Sequence, residues 1–116
     1  MLSAVIRMVL RGKRILILES DYMVAHAIQR VLENEGATVH VGPCIGAMVF
    51  DGAIVDWGWA RRPLVKTLSE AGVPLLAYTS DPVAILRRFP GCQVLSKPPS
   101  DAGLVHAVID LLPASE

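Results

Sequence analysis

The stretch ILILESDYMVAHAIQRVLENEG, residues 15–36, decides the fold. Ile15, Leu16, Ile17 and Leu18 are apolar without alternation, and the run ends abruptly at Glu19, Ser20 and Asp21. A short continuous apolar run closed by acids is the profile of a strand covered on both faces, as in a parallel sheet. Over residues 21–35 the apolar positions Val24, Ala27, Ile28, Val31 and Leu32 recur at helical spacing. Ser20 is a fitting N-cap and Gly36 a fitting stop for that helix. A buried strand leading into an amphipathic helix is the repeat unit of an α/β sheet.

The rest of the chain repeats the unit. Residues 38–41 and 53–55 predict a second and third strand, the latter closed by Asp56. The intervening stretch, 42–52, is shorter than the dozen or more residues of an ordinary parallel crossover, so its helix is expected to be stunted. Leu64, Val65 and Leu68 mark a helix over 63–71 ended by Gly72, and 73–78 reads as a strand running into Thr79 and Ser80. A short helix opened by Pro82 follows over 81–88, then a strand over 93–95 and a last amphipathic helix over 101–112, with Leu104, Val105, Val108, Leu111 and Leu112 inward. Strands alternating with helices call for a doubly wound, five-stranded parallel sheet with shortened second to fourth helices.

Composition narrows the function. At 116 residues the chain has the size of one domain. Lys plus Arg and Asp plus Glu both number 11, so the field that attracts nucleic acid or a membrane surface is missing. The first ten residues are apolar, yet lack a signal peptide's cleavage pattern and the length of a spanning helix. Residues 1–13 are read as a loose extension, with Met8 as an alternative start, and 14–116 as the domain. Cys44 and Cys92 stand in no metal or disulfide spacing and read as free cytoplasmic thiols.

In doubly wound sheets ligands sit outside the carboxyl ends of the strands. Here those ends carry Glu19, Ser20 and Asp21, then Asp56, then Thr79 and Ser80, then Ser96 and Lys97. Carboxylates suit Mg²⁺, while a hydroxyl and an ammonium meet phosphate oxygens.

The pieces ILILES (15–20), AIVDW (53–57), LLAYTS (75–80) and VLSKPP (94–99) stand in the order and spacing of the receiver domains of two-component response regulators, and the resemblance covers residues 14–112. It implies a flavodoxin-like sheet of order 2-1-3-4-5. It implies a cytoplasmic, bacterial signalling protein, not an enzyme in its own right, whose Asp56 takes a phosphoryl group from a sensor histidine kinase or a phosphotransfer protein. Thr79 matches the switch hydroxyl and Lys97 the lysine that grips the phosphoryl oxygens. Mg²⁺ would be held by Glu19, Asp56 and the backbone carbonyl of Gly58. Output would pass through protein contacts, with a homodimer as one form.

The chain departs from the family pattern at two places. The second acid of the usual adjacent pair aligns with Ser20, so Mg²⁺ binding is expected to be weak, with Ser20 or Asp21 contributing through a water. The aromatic usually found three residues before the lysine is Val94. An alternative function follows: a pseudo-receiver that keeps the fold as an interaction module and is not phosphorylated. A flavodoxin-like cofactor binder has little support, because no glycine-rich loop follows the first strand. Trp57 and Trp59 flank Gly58, either filling space or gripping a partner. Arg61 and Arg62 read as a solvated helix start, and so do His26 and His106 as solvated side chains; His40 has no clear reading.

Overall fold

The computed structural model describes residues 8–43, 49–59 and 63–113, with the side chain of Trp59 outside that set. Its elements are β1 (Arg14–Leu18), α1 (Tyr22–Asn34), β2 (Thr38–Val41), β3 (Gly52–Asp56), a 3₁₀ turn (Trp57–Trp59), α2 (Pro63–Glu70), β4 (Leu75–Thr79), α3 (Pro82–Arg88), β5 (Gln93–Ser96) and α4 (Asp101–Leu111). The five strands form one sheet of order β2-β1-β3-β4-β5. Every pairing is parallel, with Ile15 opposite Val39 and Gly52, Ala53 opposite Leu75, and Leu76 opposite Gln93.

The apolar run of β1 is explained by what covers each face. Successive side chains of a strand point to opposite sides. Ile15 and Ile17 join Ile54, Leu76 and Tyr78 beneath Ala25, Ile28 and Leu32 of α1 and Leu104, Val108 and Leu111 of α4. Leu16 and Leu18 join Ala53 and Val55 on the other face, against Phe50 and the α2 residues Val65 and Leu68. Ile15 through Leu18 are fully buried, and each such side chain contributes about 1.5–3 kcal/mol on leaving water.

Several expectations need correction. The N-cap of α1 is Asp21, not Ser20: its backbone is extended and its Oδ1 accepts hydrogen bonds from the amides of Met23 (3.0 Å) and Val24 (3.3 Å). A cap must reach the second and third helical amides, and a helix that begins at Tyr22 puts Ser20 one residue too early. Asp21→Ala is therefore expected to destabilise the fold by about 1 kcal/mol, and Ser20→Ala by far less; chemical denaturation of both variants measures the difference.

The buried stripe of α1 runs through Ala25, Ile28 and Leu32, whereas Ala27 is exposed because it lies about 200° around the axis from Ala25. In α4, Val105 is only half-buried.

The segment before β1 is also not uniformly loose. Leu10 is 1% exposed and belongs to the α1/α4 core, and its amide donates to the carbonyl of Glu35 (2.9 Å). Gly36 ends α1 at φ +97°, and a Cβ there would stand 3.0 Å from the Arg11 backbone, so the close crossing of these segments requires glycine. The short helix expected over 42–52 and Cys44 lie at or across residues outside the described set, as do Arg61 and Arg62. α2 and α3 are short, at 8 and 7 residues. Among the described residues no helix is long and apolar enough to cross a membrane.

Candidate functional site

Because all strands are parallel, their carboxyl ends arrive at one edge of the sheet. Glu19 follows the last residue of β1, Asp56 ends β3, Thr79 ends β4, and Lys97 follows the last residue of β5. The register pairs Asp56 with Tyr78 and Thr79 with Ser96, which brings these termini level. The sheet unites residues that are far apart in the chain.

Lys97 is the centre of the group. Its Nζ lies 3.5 Å from Glu19 Oε1 and forms a close ion pair with Asp56 Oδ1. It also stands 4.7 Å from the centre of the Tyr78 ring, close enough for a cation–π contact. The other carboxylate oxygen of Asp56, Oδ2, accepts the amide of Gly58 at 3.2 Å. Both oxygens of Asp56 are thus addressed by donors.

Thr79 is buried, and its hydroxyl accepts the amide of Asp81 at 3.0 Å, while its carbonyl accepts the amide of Lys97 at 2.8 Å. Since the amide of Asp81 uses only an acceptor position of the hydroxyl, the proton of Thr79 remains available to a ligand oxygen. Asp81 in turn caps α3 through Oδ1, which accepts from the amide of Ala84 at 3.2 Å. Ser20 is exposed beside Glu19, and one oxygen of Asp21 is taken up by the α1 cap.

Glu19 is buried and only partly satisfied. Its side chain is 5% exposed, and Oε2 is buried with no hydrogen-bond partner among the described residues. Burial, followed by repulsion from Asp56, pushes its carboxyl above the ordinary glutamate range despite the ammonium of Lys97. Burial works against the charge on Lys97, yet its bond to Asp56 and the charge of Glu19 outweigh it and raise its pKa.

A raised acid pKa means that ionised Glu19 costs folding stability, absent below its unfolded value near 4.5 and growing as pH rises through the folded value. Glu19→Gln is therefore expected to raise the thermal midpoint in metal-free buffer at pH 7, with the gain shrinking toward pH 4. A gain independent of pH in melting scans would refute this account.

An orphaned, buried carboxylate oxygen beside a second carboxylate is a place that a divalent cation would satisfy, and Mg²⁺ sites use one or two carboxylates with water completing the shell. The donor set fits the ion at the low end of ligand number, since no group of three or more acids, histidines or cysteines clusters among the described residues.

Sequence reasoning missed three contributors. Tyr78 lies under Lys97, the Gly58 amide donates to Asp56, and the rings of Trp57 and Phe89 meet at 5.7 Å beside the site. Tyr78 carried a signal in its position next to Thr79; Phe89 carried none. Of the histidines, His26 stacks on Tyr22 at 5.9 Å and His40 lies 6.0 Å from the Phe50 ring. Cys92 is a half-buried free thiol, its pKa raised by burial.

No family model matches the chain, and no curated protein matches its sequence. Solved structures do match its fold. A response regulator receiver protein from Sinorhizobium medicae superimposes with a TM-score of 0.71 at 18% identity, over 88% of this chain and 95% of that one. The signal receiver domain of a signal transduction histidine kinase from Syntrophus aciditrophicus gives 0.69 at 24% identity, over 87% and 90%. A chemotaxis protein from Vibrio cholerae gives 0.68 at 16% identity, over 86% and 98%. With its parallel order β2-β1-β3-β4-β5, the chain has the flavodoxin-like fold of response-regulator receiver domains.

Proposed function

We propose that this chain is a phosphorylatable receiver whose Asp56 accepts a phosphoryl group from a histidine kinase or phosphotransfer protein in the cytoplasm and signals through protein contacts. The observation that carries the reading is the convergence of Lys97 on both Glu19 and Asp56 at the carboxyl edge of the sheet. A carboxylate held between the ammonium of Lys97 and the amide of Gly58 is a fixed nucleophile. As its oxygen bonds to phosphorus, the donor's bond to phosphorus breaks and the leaving group keeps the electron pair. Lys97 and the hydroxyl proton of Thr79 then meet the phosphoryl oxygens, whose charge is the main obstacle to transfer. Glu19, Asp56 and the carbonyl of Gly58 would hold Mg²⁺, with Ser20 or Asp21 acting through water. When bound, that ion neutralises charge on the transferring group.

The exposed hydroxyl of Ser20, where a further acid would strengthen the metal site, favours a second reading, a pseudo-receiver that binds partners without being phosphorylated. Mass spectrometry after incubation with acetyl phosphate and Mg²⁺ separates the two. One added phosphoryl group at Asp56 supports the receiver, and an unmodified chain supports the interaction module.

A further inference from the structure

Lys97 follows β5, whereas the carboxylates it meets belong to β3 and to the end of β1, and β4 lies between. Neighbouring strands are about 4.8 Å apart, so its side chain must cross roughly 10 Å of sheet to reach Asp56. What it crosses is set by the period-two alternation of strands. Ile17, Ile54 and Leu76 belong to the core under α1 and α4, and two residues beyond them stand Glu19, Asp56 and Tyr78. Leu95 packs against the same core, and Lys97 is two residues beyond it. The four side chains therefore start from one face. Tyr78 is opposite Asp56 in β3 and Leu95 in β5, which makes it the β4 residue in the path of Lys97.

The crossing leaves the ammonium 4.7 Å from the centre of the Tyr78 ring. That ring is 4% exposed and packed into the core, so its face is fixed. The amide of Lys97 donates to the carbonyl of Thr79, the residue after Tyr78, so Lys97 is held to β4 at its backbone and at its charged tip. An aliphatic side chain in place of Tyr78 would carry the lysine stem but give the ammonium no electrostatic partner, whereas the face of an aromatic ring attracts it. Three groups surround the ammonium: Glu19, Asp56 and the ring. Once an oxygen of Asp56 is bonded to phosphorus its carboxylate charge is gone, while the ring is unchanged.

Resting on the reading of Asp56 as phosphoacceptor, we propose that Tyr78 is a positioning residue for phosphoryl transfer, its ring face holding the Lys97 ammonium beside Asp56 so that it meets the phosphoryl oxygens as transfer proceeds. The bond to phosphorus forms at Asp56 and breaks at the donor, which keeps the electron pair. Tyr78 exchanges no proton in this step, so the ring rather than the hydroxyl carries its role.

The test varies the charge of the ring face at constant shape, on the full chain with acetyl phosphate and Mg²⁺, reading the rate of incorporation by intact mass. Tyr78→Phe keeps the ring and is expected to keep the rate. A phenylalanine trifluorinated on the ring, placed at position 78, keeps the shape but draws electron density from the face. It is expected to react about threefold to tenfold more slowly than Tyr78→Phe at the same thermal midpoint, the scale of one cation–π contact. Tyr78→Leu is expected to be at least as slow. Equal rates in the phenylalanine and fluorinated variants overturn the proposal while leaving Asp56 as phosphoacceptor. A loss already complete in Tyr78→Phe assigns the role to the hydroxyl and overturns it as well. No incorporation in the wild type overturns both readings, since the ammonium then has no phosphoryl group to meet.

Discussion

Asp56→Asn is expected to abolish phosphoryl incorporation from any small-molecule donor and to leave the fold intact. In the proposed receiver the nucleophile is the carboxylate that β3 delivers to the edge, and an amide oxygen cannot form the mixed anhydride that would be the product. The asparagine keeps one carbonyl oxygen for the two donors that hold Asp56, so either Lys97 or the amide of Gly58 loses its acceptor, at the edge of the sheet rather than in its core. It also removes one of the causes that push the Glu19 carboxyl upward, which offsets part of the loss of the Lys97–Asp56 pair in metal-free buffer at neutral pH. Intact-mass measurement, with hydroxylamine to cleave an acyl phosphate, checks the outcome. Hydroxylamine-sensitive phosphate that persists in Asp56→Asn would move the acceptor to another residue.

Ser20→Asp is the second large effect. A carboxylate in place of the exposed hydroxyl adds a full negative charge next to Glu19 at the end of β1. At 4 Å and an effective dielectric near 20, two unit charges interact by about 4 kcal/mol, and a divalent ion feels more. Even after solvent screening, Mg²⁺ affinity should rise by roughly tenfold or more, and phosphorylation by acetyl phosphate should quicken with it. Without metal the same acid crowds Glu19 and Asp56, so the apo protein should melt earlier and the Glu19 pKa should climb further. Tryptophan fluorescence titrated with Mg²⁺ reads the affinity, since Trp57 directly follows Asp56 in the chain. An unchanged affinity would show that position 20 does not face the ion.

The sheet was legible because β1, β3 and β4 are short apolar runs, each closed by a polar residue, and parallel topology leaves few orders open. The same punctuation exposed Glu19, Asp56, Thr79 and Lys97, since a residue that ends a strand is placed by the strand itself. Features set by packing between distant segments were not legible. Nothing local says that Phe89, at the C-cap of α3, meets Trp57 after β3, or that Leu10 enters the core between α1 and α4. The N-cap of α1 is ambiguous by one residue in the sequence because Ser20 and Asp21 are both good caps, and only the start of the helix at Tyr22 decides between them. The choice between Ala25 and Ala27 is not legible, because alanine is tolerated on either side of a helix and carries little directional signal.

The seating of Leu10 bears on protein engineering. A fusion junction or a trimmed expression boundary placed at Arg14, where the strand pattern begins, would cut inside the folded unit. It would remove a core side chain, and with it the bond from the Leu10 amide to Glu35 and the one from the Thr38 amide to the carbonyl of Lys13 that extends the pairing of β1 with β2. A junction before Met8 keeps both. It also places any appended partner at the amino-terminal end of β1, the end of the sheet opposite Asp56, so a tag or reporter joined there stays clear of the edge that carries Asp56, Thr79 and Lys97.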